Sequence, residues 1–506
     1  MSDYLSTTTH IPPTEGKSPS CLLLFRSSTR GSIELASNGP HSPIYTLNND
    51  ALLNIFYLYQ LDVPDEYDED GDLNFDWGGQ RWWYKLAQVC RRWRYLILAS
   101  ASRLGLHLLC TYGVPIVDML AHSPPLPLTI FYGDGDRSEE LEEGILLALR
   151  HSDRVHCIGL YVSSLKLGKI IPAMDRQFPI LERMYIVSQT EDDTSLDLPR
   201  TFQAPLLRHF SLFHVALPIR SPLLTTAVGL VTLWLDDIPP SAYFPPTYLL
   251  ARLSLMPQLE NLEIRFHSPL PNRDVVPIMT HITLPNLRRL SFKGVSAYLE
   301  GFLSRISAPA LNFLQVSLFS QLTFAVPRLL QFIDTSEILS FRTIRLIFHN
   351  HFAHLVVFEA EGQRSYFFEL QIMCRHLDWQ VSSAAQIFDT LQPVLSVVEK
   401  LTLNHEGHSQ SSEWHNEADH AQWRELLRPF SNLKTLHVQD ELVVKLARSL
   451  QTENGEPPLK LLPSLEVVGY SGGDGTRDAF TRFIDERQVS GHPVSLTMVD
   501  HSEISG

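Results

Sequence analysis

The chain has 506 residues, 44% of them apolar and 19% charged, which is enough apolar surface for a large core and too long for one ordinary domain. Its formal charge of -15 works against phosphate backbones, so general nucleic-acid binding is not expected. Five scattered cysteines (Cys21, Cys90, Cys110, Cys157, Cys374) with no C-x-x-C, no signal-peptide pattern and no apolar run of bilayer length predict an intracellular protein, cytoplasmic or nuclear.

Residues 1–43 are rich in Ser, Thr, Pro and Gly, lack apolar periodicity and read as a mobile tail. Order is expected from Ile44. Asn48 or Asn49 can cap a helix, and Leu52, Ile55, Phe56 and Tyr59 then fall at i, i+3, i+4 and i+7, one helical face. An acidic insertion follows at about 60–81, with Asp65, Glu66, Asp68, Glu69, Asp70 and Asp72. Its spacing does not match a calcium loop, so it reads as solvated. A second helix is predicted from the stripe Leu86, Val89, Cys90, Trp93, Leu96 and Ile97. Arg91, Arg92 and Arg94 lie off that stripe and read as its solvated side.

Two of these segments carry a resemblance. Leu47-x-x-x-x-Leu52-Leu53-x-Ile55-Phe56 and Leu86-Ala-Gln-Val-Cys-Arg-Arg-Trp-Arg-Tyr-Leu96 resemble the two helices of an F-box. The stretch from Ser100-Ala-Ser-Arg-Leu104 to Pro124-Pro-Leu-Pro-Leu128 is similar to the region after it in the expanded F-box families of mushroom-forming (basidiomycete) fungi. Asn48 stands where the family usually has Pro, and the insertion separates helices that are normally close. The resemblance implies a helical F-box over 44–103 that binds a Skp-type adaptor and, through it, a cullin–RING ubiquitin ligase. By residue match the adaptor set is Leu47, Leu52, Leu53, Ile55 and Phe56 with Leu86, Val89, Cys90, Trp93 and Leu96, some of them forming the module's own core. It also implies recruitment of a protein substrate, with no catalytic residue, cofactor or metal supplied by this chain. A scaffold with a decayed F-box is the alternative.

Residues 104–150 read as a connecting segment or degenerate first repeats. From 151 to 490 the chain repeats Leu-x-x-Leu-x-Leu, often led by Pro. Leu181, Leu207, Leu259, Leu287, Leu311, Leu433 and Leu465 each start a copy, and weaker copies start at Val155, Leu230, Phe341, Phe367 and Val398. Most starts are 23 to 35 residues apart. Short alternating strands at that period are the mark of leucine-rich repeats, whose single units cannot bury their apolar face but whose stacks can. The expected fold is therefore α/β: an N-terminal helical F-box, then an irregular leucine-rich-repeat solenoid with a parallel sheet inside and helices outside, such as 384–398 and 421–427. Residues 491–506 read as a C-terminal tail. The Asn or Cys that usually follows the strand is replaced by Gln189, Val215, His267 and Val295.

Strand alternation assigns the faces. With the first Leu and the residues three and five later pointing inward, Arg183, Tyr185, Trp234, Arg265, Arg289, Lys293, Phe313 and Arg345 point outward. Aromatic and Arg side chains of this kind are favoured at binding hot spots, so this set is the predicted target-binding face. Trp234 or Phe313 packing under a loop is the competing expectation.

Catalytic patterns are sparse. Gly469-Tyr-Ser471-Gly-Gly473 matches G-x-S-x-G, which would make Ser471 a hydrolase nucleophile, but too little chain follows to carry its partners on later strands. His349, His351 and His354, His405 and His408, and His415 and His420 form clusters without H-E-x-x-H spacing, and read as loop histidines.

Overall fold

The computed structural model describes residues 46–61, 82–133, 139–189, 198–199, 201–217, 221–269, 281–334, 341–358, 366–406, 418–451, 459–471 and 478–499. The expected tail at 1–43, the acidic run from Asp62 to Asp76, His408 and His415 lie outside these residues. The chain divides into two compact units, Met1–Val162 and Ser163–Gly506.

In the first unit three helices come first: α1 (Asn49–Leu61), α2 (Trp82–Val89) and α3 (Arg91–Ala99). Asn48 is the cap of α1, its Oδ1 accepting from the Ala51 amide at 2.8 Å. Such caps are worth about 1 kcal/mol. Leu52, Leu53 and Phe56 are buried, and Phe56 meets Trp93 of α3 edge-on with ring centroids 4.9 Å apart. The single second helix expected from periodicity is two helices. At Cys90 the backbone is extended (φ -159°), and its sulfur accepts from the Trp93 amide at 3.5 Å. The break turns Val89 off the expected stripe and leaves it 58% exposed.

Two arginines expected on a solvated side instead tie the helices together. Arg92 Nη2 donates to the Leu47 carbonyl at 2.6 Å and to Asn49 Oδ1 at 2.9 Å, and Arg94 Nε donates to the Ala87 carbonyl at 3.0 Å. The Ala87 bond satisfies a carbonyl in the last turn of α2, where no intrahelical donor is available. Beyond them β1 (Leu108–Cys110), β2 (Leu128–Gly133) and β3 (Val155–Val162) pair in parallel in that order. Helices Ile116–His122 and Glu139–Arg150 make the crossovers that parallel strands require.

The second unit is the repeat array. Its strands are β4 (Arg183–Ser188), β5 (His209–Phe213), β6 (Thr232–Ile238), β7 (Asn261–Phe266), β8 (Ile282–Thr283), β9 (Arg289–Gly294), β10 (Ile306–Ser307), β11 (Phe313–Phe319), β12 (Thr343–His349), β13 (Ala353–Phe358), β14 (Tyr366–Met373), β15 (Lys400–Glu406), β16 (Thr435–Val438), β17 (Val467–Tyr470) and β18 (Ser495–Met498). The main sheet runs β4-β5-β6-β7-β9-β11-β14-β13-β12-β15-β16-β17-β18, while β8 and β10 pair separately. The inward positions are buried throughout: Leu207, Phe210 and Leu212 in one repeat, Leu259, Leu262 and Ile264 in another, Leu287, Leu290 and Phe292 in a third. Each such side chain contributes roughly 1.5–3 kcal/mol on leaving water.

The leading Pro has a local cause. In 204–207, 284–287, 308–311 and 462–465 the amide of the last residue bonds the carbonyl of the first, at 3.1 to 3.3 Å. Pro205, Pro285, Pro309 and Pro463 occupy the second place of these turns, where a φ near -65° is needed and no amide is used. The next repeat is then fixed by one carbonyl taking two amides. Arg208 receives Val231 and Thr232, Glu260 receives Arg288 and Arg289, and Lys434 receives Glu466 and Val467.

The expected parallel sheet is interrupted. β12 pairs antiparallel with β13, and β13 antiparallel with β14, while β14 pairs in parallel with β11. The chain passes from β11 through helix Pro327–Asp334 to β12, then fills the gap behind it with a hairpin. Helix His420–Leu427 lies where one was expected, whereas the helix expected over 384–398 runs instead from Leu377 to Thr390 and is followed by a separate short one, Gln392–Leu395.

Candidate protein-interaction surfaces

The adaptor set divides by burial. Leu52, Leu53, Phe56, Trp93 and Leu96 are buried within the helical module, and Leu47, Leu86 and Cys90 are half-buried. Ile55 and Val89 are exposed. The sequence stripe did not include Leu58, yet Ile55 (43% exposed), Leu58 (59%) and Tyr59 (41%) stand at i, i+3 and i+4 on one side of α1. An apolar face of this kind on a helix is what partner recognition uses.

On the sheet, strand register brings the outward residues into rows. Tyr185, Ser211, Trp234, Glu263, Ser291, Gln315 and Glu369 form one row across β4, β5, β6, β7, β9, β11 and β14. Tyr185 is on the predicted face but only 6% exposed, so it does not offer its ring to a partner. Trp234 is half-buried. Arg289 and Phe313 are opposite each other on β9 and β11, and the guanidinium carbon lies 4.3 Å from the ring centroid. Arg265 bonds Glu263 at 3.2 Å and Asp236 at 3.4 Å, and Lys293 lies 3.8 Å from Asp237. Arg183 and Arg345 are half-buried; Arg345 sits 5.2 Å from the Phe358 ring, and burial lowers its pKa. The structure therefore brings Trp234, Arg265, Arg289, Lys293 and Phe313 onto consecutive strands of the sheet, and places Arg183 and Arg345 on other strands.

A polar ladder crosses the middle of this face. Ser291 Oγ donates to Gln315 Oε1 at 2.8 Å, and Gln315 Nε2 donates to Glu369 Oε2 at 3.0 Å. Gln371 Nε2 donates to Glu369 Oε1 at 2.6 Å, and His354 Nε2 lies 2.9 Å from the same oxygen. Burial pushes the Glu369 carboxyl up, but His354, Gln315 and Gln371 outweigh it and hold the group below the usual carboxylate range. Asp236 and Glu263 go the other way. Burial raises both above their ordinary values even with the Arg265 guanidinium beside them.

At one end of the same strands the backbone departs from the repeat. The pairing of β6 with β7 shifts between Leu235 and Ile238, and Asp237 takes a left-handed φ of 52°. His214, just after β5, takes φ 54°. Asp and His tolerate this region better than other side chains, though at a cost of order 1 kcal/mol each. His214 Nε2 then lies 2.6 Å, and His267 Nδ1 3.1 Å, from Asp237 Oδ2. In the sequence His267 stands out only as the residue in place of the usual Asn or Cys.

The remaining sequence candidates resolve as follows. Ser471 is fully buried and its hydroxyl has no hydrogen-bond partner among the described residues, which is not the exposed elbow of a nucleophile. His349, His354 and His405 are strand residues of β12, β13 and β15 rather than loop residues. Each faces a carboxylate, respectively Glu406, Glu369 and Glu441. His351 is exposed, and His420 opens a helix. No helix among the described residues is long and apolar enough to cross a membrane.

No protein-family model matches the chain, and no curated protein matches it. Among solved structures, the leucine-rich repeat-containing protein LegL7 from Legionella pneumophila is similar over 75% of this chain and 97% of that one, with 10% identity and a TM-score of 0.25. The repeat assignment rests on this chain's own turns, register and buried leucines.

Proposed function

We propose that this chain is the substrate-recognition subunit of an SCF-type cullin–RING ubiquitin ligase. The helical module grips a Skp-type adaptor, and the outward face of the repeat sheet holds a protein target. The chain supplies no chemistry of its own; tethering raises the target's effective concentration at the ligase. The observation that carries this reading is the exposed Ile55, Leu58 and Tyr59 face of α1, in the segment whose residues resemble an F-box. The half-buried aromatic and Arg side chains of the sheet support the second half, because such groups dominate protein interfaces.

The test is capture of a purified Skp-type adaptor by the full chain and by an Ile55→Ala, Leu58→Ala double variant. Both side chains are exposed, so the variant is expected to fold. Its affinity should drop by about 2 kcal/mol or more, roughly 30-fold, with unchanged thermal unfolding. No capture by folded wild type would favour the other reading, a repeat scaffold whose F-box has decayed.

A further inference from the structure

Three successive strands of the sheet end in side chains that converge. His214 follows β5, Asp237 sits on the bulge of β6 and His267 follows β7. Both imidazoles address one atom: His214 Nε2 is 2.6 Å and His267 Nδ1 is 3.1 Å from Asp237 Oδ2. Their donor atoms all lie within 4.8 Å of one another. In a tetrahedral zinc site with bonds of about 2.0–2.1 Å, neighbouring donors stand roughly 3.4 Å apart. The two imidazole–carboxylate separations are shorter than that, so the donors must part by under about 1 Å to admit the ion. We propose that His214, Asp237 and His267 bind one divalent transition-metal ion, with zinc as the ion of choice.

The donor chemistry selects the class. Two imidazoles and one carboxylate suit zinc and its neighbours, whereas calcium and magnesium take oxygen ligands. Without a metal, one carboxylate oxygen must accept from two ring N–H groups at once; the ion takes the place of those two protons. The surroundings match a ligand shell. Lys293 Nζ is 3.8 Å from the other carboxylate oxygen and orients the group so that Oδ2 faces the histidines. Phe213 meets the His214 ring edge-on at 4.6 Å and limits its rotation.

Three protein ligands leave a fourth position. The His267 side chain is 45% exposed, so that position opens to solvent and can take water or a side chain of a docked protein. The site lies at the ends of β5, β6 and β7, the last two of which carry Trp234 and Arg265, and it stands independently of the ligase reading.

The experiment uses the full chain, stripped with chelator and titrated with Zn(II) against a chromophoric competitor, with Co(II) absorption as a second readout. Asn tolerates the left-handed backbone, so the variants are His214→Asn, Asp237→Asn and His267→Ala, with exposed His122→Ala as control. One Zn(II) per chain is expected, with tetrahedral Co(II) bands. Each of the three variants should weaken Zn(II) at least about 10-fold and remove the bands, while folding by circular dichroism and binding by the control stay as in wild type. Absence of competitive Zn(II) binding by wild type would overturn the proposal. So would binding that survives in the three folded variants, since the ion would then sit elsewhere.

Discussion

On the side of α1 that carries Ile55, Leu58 and Tyr59 the exposed side chains are large and apolar, and they stand beside a core of the same helix. On the outward face of the repeat sheet the large side chains are mostly charged or polar, and they already bond one another. A partner gains on α1 by covering hydrocarbon, at about 25 cal/mol per Å². On the sheet it gains only by matching a fixed pattern, because Glu369, Gln315, Arg265 and Asp237 are satisfied before it arrives. The first surface suits one constant partner and the second a selective one, since a mismatched target leaves buried polar groups unpaired.

The largest effect separates core from surface within α1 itself. Phe56 and Ile55 are neighbours in sequence, yet one is buried against Trp93 and the other is exposed. Phe56→Ala should cost about 3–5 kcal/mol of stability by urea unfolding, from lost burial plus the cavity left behind. Ile55→Ala should cost little by the same measurement. Comparable losses for the two would mean that Ile55 is covered in the folded chain, and the apolar side of the comparison would collapse.

A smaller effect tests the claim that the sheet face is satisfied internally. The Glu369 carboxyl is held below its ordinary pKa by His354, Gln315 and Gln371, against the upward push of burial. A carboxyl with a depressed folded pKa adds stability above its unfolded value, roughly 4.3, and loses it as pH falls through the folded value. Glu369→Gln should therefore be less stable than wild type at neutral pH, by about 2 kcal/mol. The gap should narrow as pH falls below roughly 4. A gap independent of pH would remove the charge of Glu369 from the account of this ladder.

What the sequence disclosed follows from which constraints are local. Leu-x-x-Leu-x-Leu and its leading Pro are local, because alternation sets the buried face and Pro205 or Pro285 sets the turn. The sheet's outward face could therefore be assigned by counting. Its burial could not: Tyr185 has the outward parity but is covered, and coverage depends on neighbouring strands. The break at Cys90 was hidden because α2 and α3 continue a plausible helical stripe across it, and the cap that ends it is an unusual sulfur acceptor. The hairpin of β13 and β14 was hidden because parallel and antiparallel strands share the period of two. His214, Asp237 and His267 lie one repeat apart from one another. Only the register of β5, β6 and β7, together with a bulge, makes them neighbours.

The smallest predicted effect concerns the pair Arg289 and Phe313, where the sheet face is most like the surface of α1. The guanidinium lies over the ring at 4.3 Å, and Arg289 is exposed while Phe313 is half-buried. A cation over an aromatic face at an exposed site is worth about 0.5–1 kcal/mol, and the Arg stem also shields the ring from water. Arg289→Ala should lower stability by that amount, and Arg289→Lys by less, since the ammonium keeps the charge but not the flat stacking surface. The same Arg289→Ala change uncovers Phe313 and enlarges the apolar area of the face. Binding of a target that reads the cation should weaken, whereas one that reads the ring should hold or gain. Measured against a captured target, the sign of the change decides which of the two side chains is the anchor, which stability alone does not.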